Sequence, residues 1–358
     1  MSARGVERHE DTKTRKSTLF RAFVLSWLSL ALVAQPFPPP LAGISRELRR
    51  DTPKRQGREG GRAAAADGVT TKDVKFYSEA VQCYAKIYLP KGSGSESKNP
   101  AVVLAPAPGA TAESVDKYAA QLAARGLVAM AIDYRGWGKS GGFLYLPEHV
   151  RWDDRLRFSQ HTANLRIRRK RLIPEAQLLD IRNAISYLQG EPGVDRSRIG
   201  VWGTDLAGGH VITIAATDFR VKAAVAQTPV IEGRDVPRTA TTPSAEQRAA
   251  MVRLARNGRA PVTAAAAAAM NDQEAKLALA DYHPFWFVDA VPPTTAVLFV
   301  LAEKDARVNN DAHAVAASKL LKGPNGVTVV PGATHTMTAA GAFDAAVDAA
   351  AAWFQKYL

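Results

Sequence analysis

Residues 199–216 read Ile199-Gly200-Val201-Trp202-Gly203-Thr204-Asp205-Leu206-Ala207-Gly208-Gly209-His210-Val211-Ile212-Thr213-Ile214-Ala215-Ala216. An apolar run, small residues around one reactive side chain and a second apolar run outline a strand, a tight turn and a helix, the pattern of a nucleophile elbow. Such a turn forces its central residue into a strained backbone conformation, so the neighbours two away must lack bulk. Gly203 and Ala207 meet that condition. The central position, usually Ser, holds Asp205. The following helix directs its N-terminus at that side chain, and its dipole favours a negative charge there. A carboxylate at 205 is therefore placed as an activated nucleophile would be. Asp is also a preferred helix N-cap, and the local sequence leaves both readings open.

Outward from the elbow, short apolar runs alternate with helical patterns from about residue 70. Residues 73–89 read as a hairpin ending at Pro90, and Ala101 to Ala105, Leu127 to Ile132, Val221 to Ala226, Thr295 to Leu301 and Val327 to Val330 read as further strands. Ser114 to Arg125, closed by Gly126, reads as a helix; so do residues 174–189, opened by Pro174 and closed by Gly190, Asp311 to Leu321, and Ala342 to Leu358. Strands alternating with helices imply an α/β fold with a mainly parallel central sheet covered on both faces. Two segments break the alternation. Residues 143–172 contain Phe143, Trp152 and Phe158 and the basic run Arg166, Arg168, Arg169, Lys170 and Arg171, which reads as a solvated helix face. Residues 232–292 contain two helical stretches, Ser244 to Asn257 and Ala264 to Ala269, and read as a helical lid. Its aromatic group, Tyr282, His283, Phe285, Trp286 and Phe287, either walls a pocket or anchors the lid to the core.

Composition narrows the function classes. The 358 residues are 46% hydrophobic and 23% charged, ordinary for a globular protein. One cysteine, Cys83, excludes an internal disulfide and a cysteine-based metal cluster, and its apolar strand context reads as a buried, inert thiol. The net charge of +13 is the sum of three segments, 1–22, 44–62 and 151–171. The rest of the chain is neutral and no binding motif accompanies the charge, so nucleic acid is not the expected partner. Near the N-terminus, Lys13, Arg15, Lys16 and Arg21 precede an uncharged apolar run from Ala22 to Ala34, then the breaker Gln35-Pro36-Phe37-Pro38-Pro39-Pro40. About a dozen apolar residues behind a basic flank fit a signal peptide, since a spanning helix needs about 20. Ala34 suits the last position before cleavage but Leu32 is large two before it, and an uncleaved membrane anchor or a misassigned start codon fits the same residues. The expected organisation is a signal peptide or anchor over 1–43, a disordered basic linker over 44–69, and a catalytic domain over 70–358, exported to the periplasm or secreted.

Two residues complete the elbow. Phe299-Val300-Leu301-Ala302-Glu303-Lys304-Asp305 places an acid just past a strand end, and Val329-Val330-Pro331-Gly332-Ala333-Thr334-His335 places a histidine just past the last strand. Nucleophile, acid, histidine is the chain order of the α/β-hydrolase arrangement. His335 would move a proton both ways near neutrality, and Asp305 would hold the ring in one tautomer and offset the imidazolium charge. Ala101-Val102-Val103-Leu104, the run Asp133-Tyr134-Arg135-Gly136-Trp137-Gly138-Lys139-Ser140-Gly141-Gly142, Val194 to Gly203 and Gly208-Gly209-His210-Val211 resemble bacterial α/β-hydrolases similar to dienelactone hydrolases and X-Pro dipeptidyl-peptidase-type acyl hydrolases, over roughly residues 70–358. The resemblance implies an elbow Ser or Cys, from which Asp205 departs. Asp nucleophiles occur in the broader fold, in haloalkane dehalogenases and epoxide hydrolases, normally followed by Trp; here Leu206 follows. The resemblance also implies an oxyanion hole built from the N–H of the residue after the nucleophile and one N–H after the first core strand. Pro108 occupies that second position and has no N–H. Leu206 and Gly109 are then the expected donors, and losing one donor costs about 2.7–4 kcal/mol of transition-state stabilisation.

The expectation is a hydrolase of a small organic substrate, an ester, lactone or other electrophilic carbon. Asp205 forms an alkyl or acyl ester that water activated by His335 then cleaves, with Asp305 orienting the ring. It requires neither metal nor organic cofactor. Two other classes fit the same residues: a degenerate member that binds through the pocket without turnover, and lyase-type catalysis with Asp205 as a general base.

Overall fold

The computed structural model describes residues 68–146, 160–233 and 264–358, together with Ala245, Ala249, Val252, Arg253 and Arg256. The chain divides into two units, Met1–Gly60 and Gly61–Leu358, and every described residue belongs to the second. The expected signal or anchor over 1–43, the linker up to residue 67, Trp152, Phe158 and most of the expected helix from Ser244 to Asn257 lie outside the described residues; the five described positions within that helix are helical.

Eight strands form one sheet among the described residues. Thr70–Ser78 (β1) and Val81–Leu89 (β2) make the hairpin, followed by Asn99–Ala105 (β3) and Val128–Ile132 (β4). Phe143–Tyr145 (β5) and Arg166–Arg168 (β6) form a separate two-stranded sheet. Val194–Thr204 (β7), Val221–Gln227 (β8), Ala296–Ala302 (β9) and Asn325–Val330 (β10) complete the main one. The order is β1-β2-β4-β3-β7-β8-β9-β10, antiparallel at β1/β2 and β2/β4 and parallel from β4 onward. Strands β4 and β9 are buried along their whole length, which is why they read as unbroken apolar runs. The edge strand β10 instead alternates, with Val327 and Val329 exposed.

Among the described residues, Asp116–Ala124 (α1), Pro174–Gln189 (α2), Leu206–Thr217 (α3) and Ala340–Tyr357 (α5) cover the sheet, and Ala264–Ala280 (α4) lies in the second insertion. On one face, Ile181 and Ile185 of α2 and Val211 and Ile214 of α3 pack on Ile87, Val103, Val201 and Phe299. On the other, Leu122 of α1 and Phe354 of α5 pack on Val102, Leu104, Trp202 and Val300. Helix α3 is buried from Leu206 to Ala215, as a helix apolar all round must be. The chain runs β3 to β4 on one side and β7 to β10 on the other, so the order reverses between β3 and β7. Ligands of open parallel sheets bind at the carboxyl ends of the strands at such a switch point. No helix among the described residues is long and apolar enough to cross a membrane.

Two expectations need correction, and one open alternative is decided. The basic run is not a solvated helix face. Arg166–Arg168 is strand β6, and Arg168 is buried. Its Nε donates to Asn271 Oδ1 at 2.8 Å and its Nη1 to Glu274 Oε1 at 2.8 Å, while Arg171 Nε takes Glu274 Oε2 at 2.8 Å. Two guanidinium groups thus clamp one carboxylate of α4, a planar match that lysine lacks. The helix expected from Asp311 to Leu321 is a wide π-type turn over Asp311–Val315 and one α turn over Ala316–Ser318. Asn310 ties the start of this segment to the end of β9 through Nδ2 and Ala302 C=O, 2.8 Å. Of the two readings of the insertion's aromatics, anchoring holds: none of them lines the cavity described below. Tyr282 and His283 are buried and Phe285 packs on the core, so these three anchor the insertion. Trp286 is exposed and stacks on His283 with ring centroids 4.4 Å apart, and Phe287 is exposed beside it. The ends of the insertion are closed by Gly233 N–H donating to Tyr282 C=O (2.8 Å) and Phe285 N–H donating to Ile231 C=O (3.0 Å).

Candidate active site

Asp205 follows the end of β7 at φ 59°, ψ −126°. Such a left-handed, non-glycine backbone costs on the order of 1–3 kcal/mol and persists only where its surroundings over-determine it. They do so here: Asp205 N–H donates to Gln227 C=O at 3.1 Å, and Asp205 C=O accepts from Gly208 and Val230 N–H at 3.0 Å each. A Cβ on Gly203 would collide with the Ala207 carbonyl and crowd Val211, which explains the glycine two before the elbow residue. Asp205 occupies the N-cap position of α3, yet its side chain makes no capping hydrogen bond. The carboxylate lines the cavity instead, with Oδ2 2.9 Å from Arg307 Nη1 and 3.7 Å from His335 Nε2.

Asp305 follows β9 and is wholly buried at its carboxylate. His335 Nδ1–H donates to it, 3.0 Å to Oδ1 and 2.8 Å to Oδ2. Oδ1 also accepts the N–H groups of Arg307 and Val308, each at 2.9 Å. One carboxylate therefore fixes both the imidazole and the loop carrying Arg307. His335 Nε2, too far from Asp205 for a hydrogen bond, is buried with no hydrogen-bond partner. Burial opposes a charge on His335, but the carboxylates of Asp205 and Asp305 on its two sides overcome that and raise its pKa above the ordinary imidazole value. The protonated ring therefore adds stability in full below the unfolded-state pKa near 6.5, and that contribution is lost as pH rises through the folded value.

The structure thus brings Asp205, Asp305 and His335 together at the carboxyl ends of three strands. Of the expected oxyanion donors, Leu206 opens α3, where N–H groups have no acceptor within the helix. Gly109 is placed differently. It has φ +78°, a Cβ there would lie 3.6 Å from Trp137, and it is not among the residues lining the cavity; Ala107, Pro108 and Ala110 are. The loop turns at Gly109 because a type of backbone open mainly to glycine is needed between two lining residues.

The cavity, about 890 Å³, lies in the usual range for small-molecule sites. Its apolar wall comes from three elements: Tyr118 of α1, Trp202 of β7 and Phe343 of α5, with ring centroids 4.5 Å (Tyr118–Trp202) and 4.9 Å (Tyr118–Phe343) apart. Behind the elbow, Tyr282 Oη donates to Leu206 C=O at 2.9 Å and lies 2.9 Å from His210 Nδ1. Burial holds the His210 pKa down at about 3, so this second histidine is a neutral structural group. Among the described residues, no His, Cys, Asp or Glu side chains are gathered in threes as a metal ion would need. Sequence reasoning missed Arg307 and the aromatic wall. Arg307 lies two residues after Asp305, but only the folded chain shows that its head reaches Asp205.

This fold and this placement of groups define an α/β-hydrolase. The dienelactone hydrolase family model matches residues 84–273, just over half of the chain, and the chain belongs to that family of hydrolases. It is 30% identical over 162 residues to the quorum-quenching protein AidA of Acinetobacter baumannii, covering 45% of this chain and 44% of that one. It is 27% identical over 165 residues to the thiohydrolase aneE of Aspergillus aculeatus, covering 46% and 43%. The aligned stretches span less than half the length of these curated relatives. The crystal structure of the protein PA2218 from Pseudomonas aeruginosa shares the fold, with a TM-score of 0.62, 21% identity, and coverage of 82% of this chain and 95% of that one.

Proposed function

We propose that this hydrolase turns over small electrophilic substrates, with Asp205 as nucleophile, His335 as proton carrier and Asp305 as the group that orients His335. The observation that carries the reading is the elbow: a strained Asp205 whose carboxylate caps nothing and faces His335 across 3.7 Å in a cavity. An Asp205 oxygen attacks the electrophilic carbon, and the bond to the leaving group breaks with its electron pair. The imidazolium of His335 protonates the leaving group. Asp205 is then an alkyl ester, or an acyl anhydride where the carbon is a carbonyl, and has lost its charge. One of the two carboxylates that raise the His335 pKa is gone, so the ring stays neutral, and as a general base it takes a proton from the attacking water. The hydroxide cleaves the intermediate, restoring the Asp205 carboxylate and the imidazolium.

In a His335→Gln variant, attack proceeds on substrates whose leaving group departs without a proton, such as haloalkanes and nitrophenyl esters, and water activation fails. Mass spectrometry after a substrate pulse should find the adduct on the peptide carrying Asp205. A rival reading, binding without turnover, draws on the ion pair that Arg307 makes with Asp205. Unmodified Asp205 in a variant pulsed with haloalkanes and nitrophenyl esters would favour it.

The basic flank and apolar run of residues 13–34 support export of the enzyme, by a cleaved signal or a retained anchor. Residues 1–45 fused to a reporter active only outside the cytoplasm should give signal; a silent reporter, with the fusion soluble in the cytoplasm, removes this proposal.

A further inference from the structure

Arg307 has no role in the chemistry just described, yet it touches the nucleophile. Its Nη1 lies 2.9 Å from Asp205 Oδ2, its side chain lines the cavity, and about half of that side chain is exposed. Its backbone N–H is held by Asp305 Oδ1, so the acid that orients His335 also sets this arginine. Pro108, which lines the same cavity, has no N–H to offer an oxyanion.

We propose that Arg307 is a catalytic residue for acyl substrates: the guanidinium that pairs with Asp205 at rest receives the oxyanion formed when Asp205 attacks, supplying the donor that Pro108 removes. This rests on the reading of Asp205 as nucleophile. At rest the negative charge is on the Asp205 carboxylate. As its oxygen bonds to the carbonyl carbon, the C=O electron pair moves onto the substrate oxygen, and the charge moves with it. That oxygen and the attacking oxygen are bound to the same carbon, so a guanidinium in contact with one is within reach of the other. Guanidinium has five N–H donors in a rigid fork, and one contact to Asp205 leaves others free. A localised oxyanion accepts more strongly than a delocalised carboxylate, so the interaction strengthens toward the transition state, which is what lowering the barrier requires. When the intermediate collapses, the pair returns to the carbonyl, the leaving group departs, and Asp205 holds the acyl group.

The test uses the full chain in the His335→Gln background and 4-nitrophenyl acetate, whose nitrophenolate leaves without needing a proton. The burst of nitrophenolate and the acetyl adduct on Asp205 are followed in a single turnover after acid quench. Arg307→Ala should slow the burst by about 10²–10³, the usual effect of deleting one oxyanion donor. Arg307→Lys should fall between, and guanidinium below denaturing concentration should restore the alanine variant without accelerating its parent. A burst as fast or faster in Arg307→Ala overturns the proposal and shows that Arg307 only shields Asp205, which remains the nucleophile. Slowing that guanidinium does not relieve assigns Arg307 a structural role and also overturns it. Absence of an adduct in the Arg307 parent overturns both this inference and the nucleophile assignment beneath it.

Discussion

Replacing Asp205 by asparagine is expected to end turnover and leave the fold standing. The amide matches the carboxylate in shape and tolerates the left-handed backbone at φ 59°, so the hydrogen bonds pinning the elbow persist. It is a far poorer nucleophile, and deleting an activated nucleophile costs on the order of 10⁴-fold or more in kcat. The same change has a second readout. His335 loses one of the two carboxylates that oppose its burial, so its pKa must fall. An NMR titration of the His335 ring should show the lower midpoint, while thermal unfolding stays close to that of the parent. Turnover at the parental rate would sink the assignment of Asp205. An unchanged His335 midpoint would mean that the 3.7 Å approach of Asp205 has no electrostatic weight.

How far the site was legible follows from what kind of physics places each group. Strands β3, β4, β8 and β9 were readable because burial on both faces demands unbroken apolar runs. Helix α2 was readable at both ends because Pro174 and Gly190 punctuate it. Asp305 and His335 could be picked out because each follows a strand whose carboxyl end must face the site. Arg307 could not, because its contact with Asp205 joins two loops a hundred residues apart, and no local pattern records which way an exposed arginine turns. The same holds for the basic run. Arg168 and Arg171 look like surface charge until Glu274, brought in by the second insertion, lies between them. Gly109 was expected as a donor from its place after β3; its positive φ sets it beside Trp137, between the lining residues Pro108 and Ala110 but not itself among them. The aromatic wall has one ring from each of three elements, and none belongs to the lid aromatics that composition made conspicuous.

The largest loss of stability is expected at Asp180, and it bears on the cavity through the loop from Asp133 to Gly142. That loop is built on buried polar contacts. Asp133 accepts Ala112 N–H at Oδ1 and Lys139 N–H at Oδ2, both at 2.7 Å, and a Cβ on Gly138, at φ +48°, would collide with that carboxylate. Ser140 Oγ accepts Tyr84 N–H at 2.8 Å and donates to Asp133 C=O at 2.7 Å. Through Ala112 the loop holds the far end of the turn that begins at Pro106 and carries Ala107 and Pro108 along the cavity. Its anchor to the core is Arg135, nearly buried, whose N–H and Nε donate to Asp180 Oδ2 and Oδ1 at 2.9 and 2.8 Å. Asp180→Ala leaves the Arg135 charge with Ser78 and the exposed Glu79 alone. Breaking a buried pair from one side costs about 3–5 kcal/mol, because the remaining charge stays out of water. Urea unfolding followed by tryptophan fluorescence should show that loss. Replacing both partners together, Arg135→Met with Asp180→Leu, should recover most of it, since no charge is then stranded. A single-variant loss below about 1 kcal/mol, the range of exposed pairs, would mean that water reaches Arg135. The loop would then be held by Asp133 and Ser140, and the cavity wall would not depend on the core pair.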